Sequence, residues 1–401
     1  MLAELHHDPV RPSRIGAGTL LRTAQPPVDL KADETAAALH LETSAWRLEV
    51  TKDPWGMALT NKQTGLIWRL AGSDGSSTGI TQAPGEAAAL RLTQVQHIER
   101  HGNTWQMQVK IAGSTETATL TLTVISPTVI RLSIRAPQLG DNARMALRFA
   151  GAGPFFGLGE RFAKARLDGL KTVLRPDDLL GQRPPGHNWT YIPVPFLFSP
   201  RGLGFYLDTA AISTFDLRRA TQQRFSVQLD QSSVDCYFFV DAGPKGILSD
   251  YTALTGRSPT PPPWAFGVWI CSYQGPGKVL DDARRLRREG IPASAIWTFD
   301  VMGKGMSMGW PLWWTGYYPR PRDFTDQLHK MGFKVLTYCY PFVRQMLNPY
   351  ILPNPNFEEG VRKGFFVLNS AGQPTGPTWE PYLDANIDFT NPAAVDWWEE
   401  M

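Results

Sequence analysis

Two hydrophobic periods divide the chain. Between Ala45 and Ala242, apolar residues alternate with polar ones at a period of two, and Gly, Pro, Asn and Asp separate the runs; clear examples are residues 105–111, 120–124, 130–134 and 225–229. Such alternation is typical of strands with one buried and one solvent-facing side. The pattern predicts a large antiparallel β-sandwich.

A different pattern follows the proline-rich segment Ser258-Pro-Thr-Pro-Pro-Pro263. Three short apolar runs, residues 266–270, 295–299 and 335–338, predict strands buried on both faces. Two helix-period segments separate them, with apolar positions at Val279, Leu280, Ala283 and Leu286 and then at Phe324, Leu328 and Met331, and they end at Gly290 and Gly332. This is a βαβαβ pattern, which predicts three parallel strands with their carboxyl ends at one edge, where such folds bind ligands.

Several motifs occur in order along both halves of the chain. They are Gly157-Leu-Gly-Glu-Arg-Phe162, Pro263-Trp-Ala-Phe-Gly-Val-Trp269, the aspartate Asp300 at the end of the second apolar run, Leu328-His-Lys-Met-Gly-Phe-Lys334, and Asp388-Phe-Thr-Asn-Pro392 followed by Trp397-Trp398. Over residues 40–401 this combination resembles glycoside hydrolase family 31, a family of retaining α-glycosidases.

The resemblance implies a domain organisation. We expect a peripheral arm over residues 1–35, a galactose-mutarotase-like β-sandwich over 36–258, and strands 1–3 of a (β/α)8 barrel over 259–401, with an inserted subdomain at about 344–385. In this family the nucleophilic aspartate ends the fourth strand, and Asp388 to Trp398 opens the helix before that strand. We therefore expect the nucleophile and the acid/base to lie beyond Met401 and residues 1–401 alone to be inactive.

The implied function is hydrolysis of O-glycosyl bonds by an exo-acting retaining α-glycosidase with a double-displacement mechanism, acting on an α-glucoside or a related sugar. Xylosides, sulfoquinovosides and transfer reactions also occur in the family, so the sugar and linkage stay open. The second hypothesis is a non-catalytic carbohydrate-binding or interaction protein derived from such an enzyme.

Three candidate site residues follow the predicted strands. Asp300 would accept charge-assisted hydrogen bonds from adjacent sugar hydroxyls, although a strand-end aspartate can also cap a loop amide. Tyr273 and Tyr338 would form the apolar wall of the same subsite, or else pack in the top layer of the barrel.

Two further candidates lie in long loops. Asp177, in Leu174-Arg-Pro-Asp-Asp178, matches a family loop that reaches the sugar, but a Pro-Asp turn explains it equally well. Trp313 belongs to an aromatic cluster at residues 310–318 that would stack on sugar rings or form a small satellite core. The adjacent charges Glu160 and Arg161 are expected to form a structural ion pair or to contact a ligand.

Composition excludes several other classes. A net charge of +3 is too small for a nucleic-acid-binding surface, and no apolar run is long enough for a signal core or a membrane span. Cys236, Cys271 and Cys339 are expected to be buried free thiols of a cytoplasmic protein, and no metal-ligand spacing or cofactor motif occurs. The expected partner is a small-molecule carbohydrate, and the oligomeric state stays open.

Overall fold

The computed structural model describes residues 28–70, 79–81, 90–136, 144–162, 164–176, 190–229, 231–298, 318, 320–337, 341–347, 352–376 and 383–400. These residues divide into two compact units, one that ends at Arg257 and one that begins at Ser258. The division falls beside the proline-rich segment, where three successive prolines cannot continue a helix or a sheet ladder. The domain limits stated above remain predictions.

The first unit consists almost entirely of strands. They are β1 (Lys31–Glu34), β2 (Ala38–Glu42), β3 (Trp46–Lys52), β4 (Trp55–Asn61), β5 (Ile67–Leu70), β6 (Gly79–Thr81), β7 (Leu90–His101), β8 (Thr104–Ile111), β9 (Thr117–Ser126), β10 (Val129–Arg135), β11 (Arg144–Gly151), β12 (Phe156–Gly157), β13 (Lys171–Leu174), β14 (Phe196–Ser199), β15 (Leu203–Leu207), β16 (Ser213–Asp216), β17 (Arg224–Leu229) and β18 (Ser233–Val240).

All their pairings are antiparallel and they form two sheets. The first sheet runs β1-β2-β3-β4-β5-β11-β17-β16-β13, and β6 pairs with the free end of β11 beside β5. The second sheet runs β7-β8-β9-β10-β18-β15-β14-β12. Strand β7 also pairs with β6 and so connects the two sheets.

One hydrophobic core lies between the sheets. Trp46 and Leu48 of the first sheet and Trp105 and Leu120 of the second are all at most 1% exposed and belong to the same cluster. In β8, buried residues alternate with more exposed ones along the whole strand, as the period of two predicts. The predicted β-sandwich is confirmed.

One helix in this unit was not predicted from the sequence. Helix α1 (Pro244–Thr255) covers the outer face of the second sheet, where Ile247 and Leu254 are buried and Tyr251 stacks on Phe196 with ring centroids 4.0 Å apart. Ile247, Tyr251 and Leu254 are spaced at i, i+4 and i+7, so the sequence contains a helical period that the prediction of strands did not include. Pro244 in the first turn was a further signal.

The second unit begins with three parallel strands. Strands β19 (Trp269–Cys271), β20 (Ala295–Thr298) and β21 (Lys334–Thr337) lie side by side in that order. Helices α2 (Gly275–Arg288) and α3 (Pro321–Lys330) connect them, and both helices contribute to one core with Ile296 and Phe333. This is the predicted βαβαβ arrangement, and it confirms the start of the barrel.

The first strand differs from its prediction in position and in burial. Residues Pro263–Phe266 form a 3₁₀ turn, so the strand begins at Trp269 rather than at Phe266. Val268 is 52% exposed and Trp269 is 46% exposed, so the expectation of burial on both faces is wrong for β19. It is also wrong for β21, in which none of the four residues is buried, and it holds best for β20. In the described part of the chain only β20 pairs with this strand, which leaves its other edge uncovered.

The remaining elements form a small region with its own core. They are β22 (Phe342–Arg344), β23 (Met346–Leu347), β24 (Leu352–Pro353), helix α4 (Pro355–Lys363), β25 (Asp384–Asn386) and helix α5 (Pro392–Glu400), with the antiparallel pairs β22–β25 and β23–β24. Phe357, Phe365 and Phe366 pack there with Trp397 of α5. The buried carboxylate of Asp384 accepts two hydrogen bonds from Arg344, at 2.9 and 3.1 Å.

Candidate functional site

The carboxyl end of β19 leads into α2 through a link of only three residues. Ser272 is 3% exposed, Tyr273 is 41% exposed, and α2 begins directly after Gln274. Gln274 has a left-handed backbone with φ of 77°, and Gly275 follows with φ of 91°. Two successive positive φ angles let the chain reverse at once, so that a large aromatic side chain stands at the strand end.

Ser272 is held from two sides. Its backbone amide donates to the carbonyl of Trp297 on β20 at 3.0 Å, and its hydroxyl donates to Oδ2 of Asp282 at 2.7 Å. Lys278 Nζ donates to the same Asp282 oxygen at 2.5 Å. Burial raises the pKa of the Asp282 carboxyl, but the hydrogen bonds from Lys278 and Ser272 outweigh it, so that the pKa lies below its ordinary value.

The last residue of β20 also makes a polar side-chain contact. Thr298, the last residue of β20, is fully buried, and its Oγ1 lies 3.2 Å from the hydroxyl oxygen of Tyr318. The Tyr318 ring packs edge-on against Phe324 of α3, with centroids 5.0 Å apart. This contact fixes the two described residues that flank the segment containing Asp300.

Of the five predicted site residues, the described part of the chain contains Tyr273. Asp300 and Trp313 lie in the segment between Thr298 and Tyr318, Tyr338 directly follows β21, and Asp177 follows the isolated bridge between Pro176 and Thr190; all four lie outside the described residues. Their roles stay predictions. The tie between Ser272 and Asp282 was not predicted, because a hydrogen bond between residues ten positions apart leaves no pattern in the sequence.

The Gly157 to Phe162 segment has a constrained backbone. Gly157, Leu158 and Gly159 all have positive φ, and a Cβ on Gly159 would lie 2.1 Å from the carbonyl oxygen of Ile192. The Arg161 guanidinium donates to the carbonyl oxygen of Leu158, at 2.9 Å from Nε and 2.5 Å from Nη2. Burial lowers the pKa of Arg161 to about 10. These contacts hold a loop, which supports a structural role for Arg161.

A second group of charges lies on the outer face of the second sheet. Asp235 is completely buried and binds Arg131 and Arg135, with Arg131 Nη2 at 2.8 Å from Oδ1. Burial raises the pKa of Asp235, but hydrogen bonds from Arg135 and Arg131 outweigh it and lower the pKa below the ordinary value. For nearby Asp208, burial and then the Asp235 charge raise the pKa. Asp208 Oδ2 is buried without a hydrogen-bond partner.

The cysteine prediction needs one correction. Cys236 is a buried free thiol, and burial raises its pKa, whereas Cys271 is exposed at the end of β19. The exposure has the same cause as that of Trp269, since no described strand covers this edge. Cys339 lies outside the described residues.

A groove of about 470 Å³ opens between α2 and α3. Its lining includes the apolar side chains of Leu280, Tyr318 and Phe324 and the polar side chains of Asp323, Gln327 and Lys330. No group of three or more His, Cys, Asp or Glu side chains among the described residues could hold a metal ion. None of the helices in the described part of the chain is both long and apolar enough to cross a bilayer.

Comparison with protein families agrees with this architecture. The model for the glycosyl hydrolases family 31 TIM-barrel domain matches residues 258–401, and the model for the glycosyl hydrolase 31 N-terminal galactose mutarotase-like domain matches residues 19–216. Together they match well over half of the chain, in the order in which its two units occur. The chain belongs to glycoside hydrolase family 31.

Individual family 31 proteins are similar over part of their length. Alpha-xylosidase XylQ of Lactiplantibacillus pentosus is 27% identical over 252 residues, which are 61% of this chain and 31% of the relative. Alpha-glucosidase 2 of Bacillus thermoamyloliquefaciens is 26% identical over 253 residues, again 61% and 31%. The chain thus spans about a third of the length of these curated relatives.

Solved structures support the fold. A family 31 sulfoquinovosidase from E. rectale, in complex with an aza-sugar inhibitor, superposes with a TM-score of 0.63 at 15% identity, covering 92% of this chain and 56% of that one. At 15% identity this superposition supports the fold alone, that is, the sandwich and the partial barrel.

Proposed function

We propose that the natural protein containing these residues is an exo-acting retaining α-glycosidase that hydrolyses an α-glucoside or a related sugar. The observation that carries the proposal is the ordered match of two family 31 domain models to the two units. Relatives named as an α-xylosidase and an α-glucosidase support the reaction class. The carbohydrate ligand is proposed from neighbours such as the inhibitor complex of the sulfoquinovosidase.

The residues of this chain would supply the binding side of the sugar subsite. Asp300 follows two positions after Thr298, the buried end of β20, so we assign it the carboxylate that accepts hydrogen bonds from sugar hydroxyls. Tyr273 and Tyr338 would wall the subsite, and Asp177 and Trp313 would complete it from loops. The half-exposed ring of Tyr273 at a strand end supports its part in this assignment.

The chemical step would use residues after Met401. Retention requires a carboxylate nucleophile and a carboxylic acid about 5 Å apart on either side of the anomeric carbon. The family resemblance assigns neither role to residues 1–401. We also propose a cytoplasmic location, supported by the buried free thiol of Cys236.

Product stereochemistry tests the proposal. The natural protein should release the sugar from aryl α-glucosides, α-xylosides or α-sulfoquinovosides, and NMR spectra recorded in the first minutes should show the α-anomer of the product. The matching β-glycosides are the control and should remain intact. A β-anomeric first product would exclude retention, and sugar binding without turnover would favour the non-catalytic alternative.

A further inference from the structure

The link between β19 and α2 is fixed at one end by Ser272. The Ser272 amide extends the ladder to β20 by bonding Trp297 O at 3.0 Å, and the hydroxyl bonds Asp282 on the second turn of α2 at 2.7 Å. Ser272 is 3% exposed, so this hydroxyl is removed from water and depends on the Asp282 carboxylate for its acceptor. The strand end and the helix are therefore tied together through a single oxygen of Asp282.

The other end of the link is fixed by its backbone. Gln274 and Gly275 have φ of 77° and 91°, a region in which non-glycine residues have few alternative conformations. Tyr273 stands between these two fixed points and is 41% exposed. The position of its ring is thus set by a three-residue backbone segment whose first residue depends on Asp282.

Lys278 also binds the Asp282 carboxylate. Its Nζ lies 2.5 Å from the same Oδ2, one helical turn earlier on α2. Its side chain is 50% exposed and that of Asp282 is 31% exposed, so this ion pair by itself contributes little to stability. The hydrogen bond to the buried Ser272 hydroxyl is the stronger constraint on the link.

We propose that Asp282 is a positioning residue which, through Ser272, holds Tyr273 in place against the bound sugar. This rests on the proposed function, in which Tyr273 walls the sugar subsite. Groups that contact a substrate must be held within about 0.5 Å of the productive geometry, and misplacement by about 1 Å can cost on the order of a hundredfold in rate. Loss of the tie should therefore reduce kcat/KM on the order of tenfold.

The test uses the natural protein and two variants that remove the tie from opposite sides. Asp282→Ala and Ser272→Ala should each lower kcat/KM by about tenfold. The double variant should lose no more than either single variant, because both changes remove the same hydrogen bond. Ser272→Thr keeps a hydroxyl at the same place and should recover most of the activity. Lys278→Gln is the matched control on the same carboxylate, and its kcat/KM should stay within about twofold of the wild type.

A cycle with Tyr273 separates positioning from general stability. Tyr273→Ala should lower kcat/KM, and adding Asp282→Ala to it should have no further effect, because the ring that the tie positions is then gone. An additional tenfold loss in the Tyr273→Ala background, or a fall in kcat/KM explained by a lower Tm, would overturn the positioning role while the proposed function stands. A wild-type protein without α-glycosidase turnover would overturn both.

Discussion

Replacing Gly159 by alanine should destabilise the β-sandwich far more than the same change at Gly169. Both glycines have almost the same backbone, with φ of 83° and 85°, so an alanine costs about 1–2 kcal/mol in conformational strain at either position. The surroundings differ. A Cβ on Gly159 would lie 2.1 Å from Ile192 O and 2.7 Å from Val194 N, whereas around Gly169 nothing lies within 4 Å.

The backbone groups near Gly159 cannot rotate away as a side chain can. Forcing an extra methyl group into packed surroundings costs about 1–3 kcal/mol more, and the bond from the Glu160 amide to Ile192 O at 3.2 Å would be lost as well. With about 1 kcal/mol for the hydrogen bond, we therefore expect a total loss of about 3–6 kcal/mol for Gly159→Ala and about 1–2 kcal/mol for Gly169→Ala.

Hydrogen exchange of sandwich peptides at increasing urea concentrations measures these losses without mixing in the second unit. The midpoint for strands β14 to β18 should fall by a clearly larger amount in Gly159→Ala than in Gly169→Ala. Equal shifts would refute the argument that contact with the Ile192 backbone, and not left-handed geometry alone, requires glycine at this position.

Three further predictions concern charge and activity. Asp235→Ala should destabilise the sandwich by about 3 kcal/mol, since it leaves Arg131 and Arg135 without their buried partner. Urea unfolding measures this loss, and the control Asp216→Ala, which removes the more exposed ion pair with Arg218, should lose much less stability. The pKa of Asp208 is raised in the folded state, so ionisation of this carboxyl disfavours folding. The stability of the wild type relative to Asp208→Asn should therefore fall as pH rises above the ordinary carboxyl pKa. A stability difference that stays constant between pH 3 and 8 would contradict this prediction. The polypeptide of residues 1–401 expressed alone should not hydrolyse aryl α-glucosides, because the resemblance assigns it neither catalytic carboxylate; turnover above a heat-treated sample at ordinary glycosidase rates would contradict that assignment.

The architecture could be predicted from the sequence because it depends on hydrophobic period. The alternation in residues 105–111 and the helical spacing of Val279, Ala283 and Leu286 each fix a side that must be buried, and the structure places them in cores. Helix α1 was not predicted, although Ile247, Tyr251 and Leu254 have helical spacing, because that period covers only three residues inside a region of strand-like alternation. The predicted start of β19 was wrong because Phe266 and Val268 are apolar but lie outside the strand and are exposed.

The candidate site depended on the family resemblance rather than on periodicity. Tyr273 was named because it follows a predicted strand, and the resemblance implied its role as a subsite wall. In the structure its side chain is 41% exposed. The tie between Ser272 and Asp282 could not be predicted, because a hydrogen bond across ten residues leaves no pattern in the sequence. Its recognition needed the positions of β19 and α2 in space.

The most direct test of the central claim is the kinetics of Asp300→Asn in the natural protein. The change keeps the side-chain shape but replaces charge-assisted hydrogen bonds of about 1.5–3 kcal/mol by neutral ones of about 1 kcal/mol, so kcat/KM should fall on the order of tenfold to several hundredfold with little change in Tm. Asp281→Asn, on the exposed side of α2 where it pairs with Arg284, is the matched control and should leave the kinetics unchanged. Wild-type kinetics in Asp300→Asn, or a loss explained entirely by unfolding, would contradict the assignment of Asp300 to the sugar subsite.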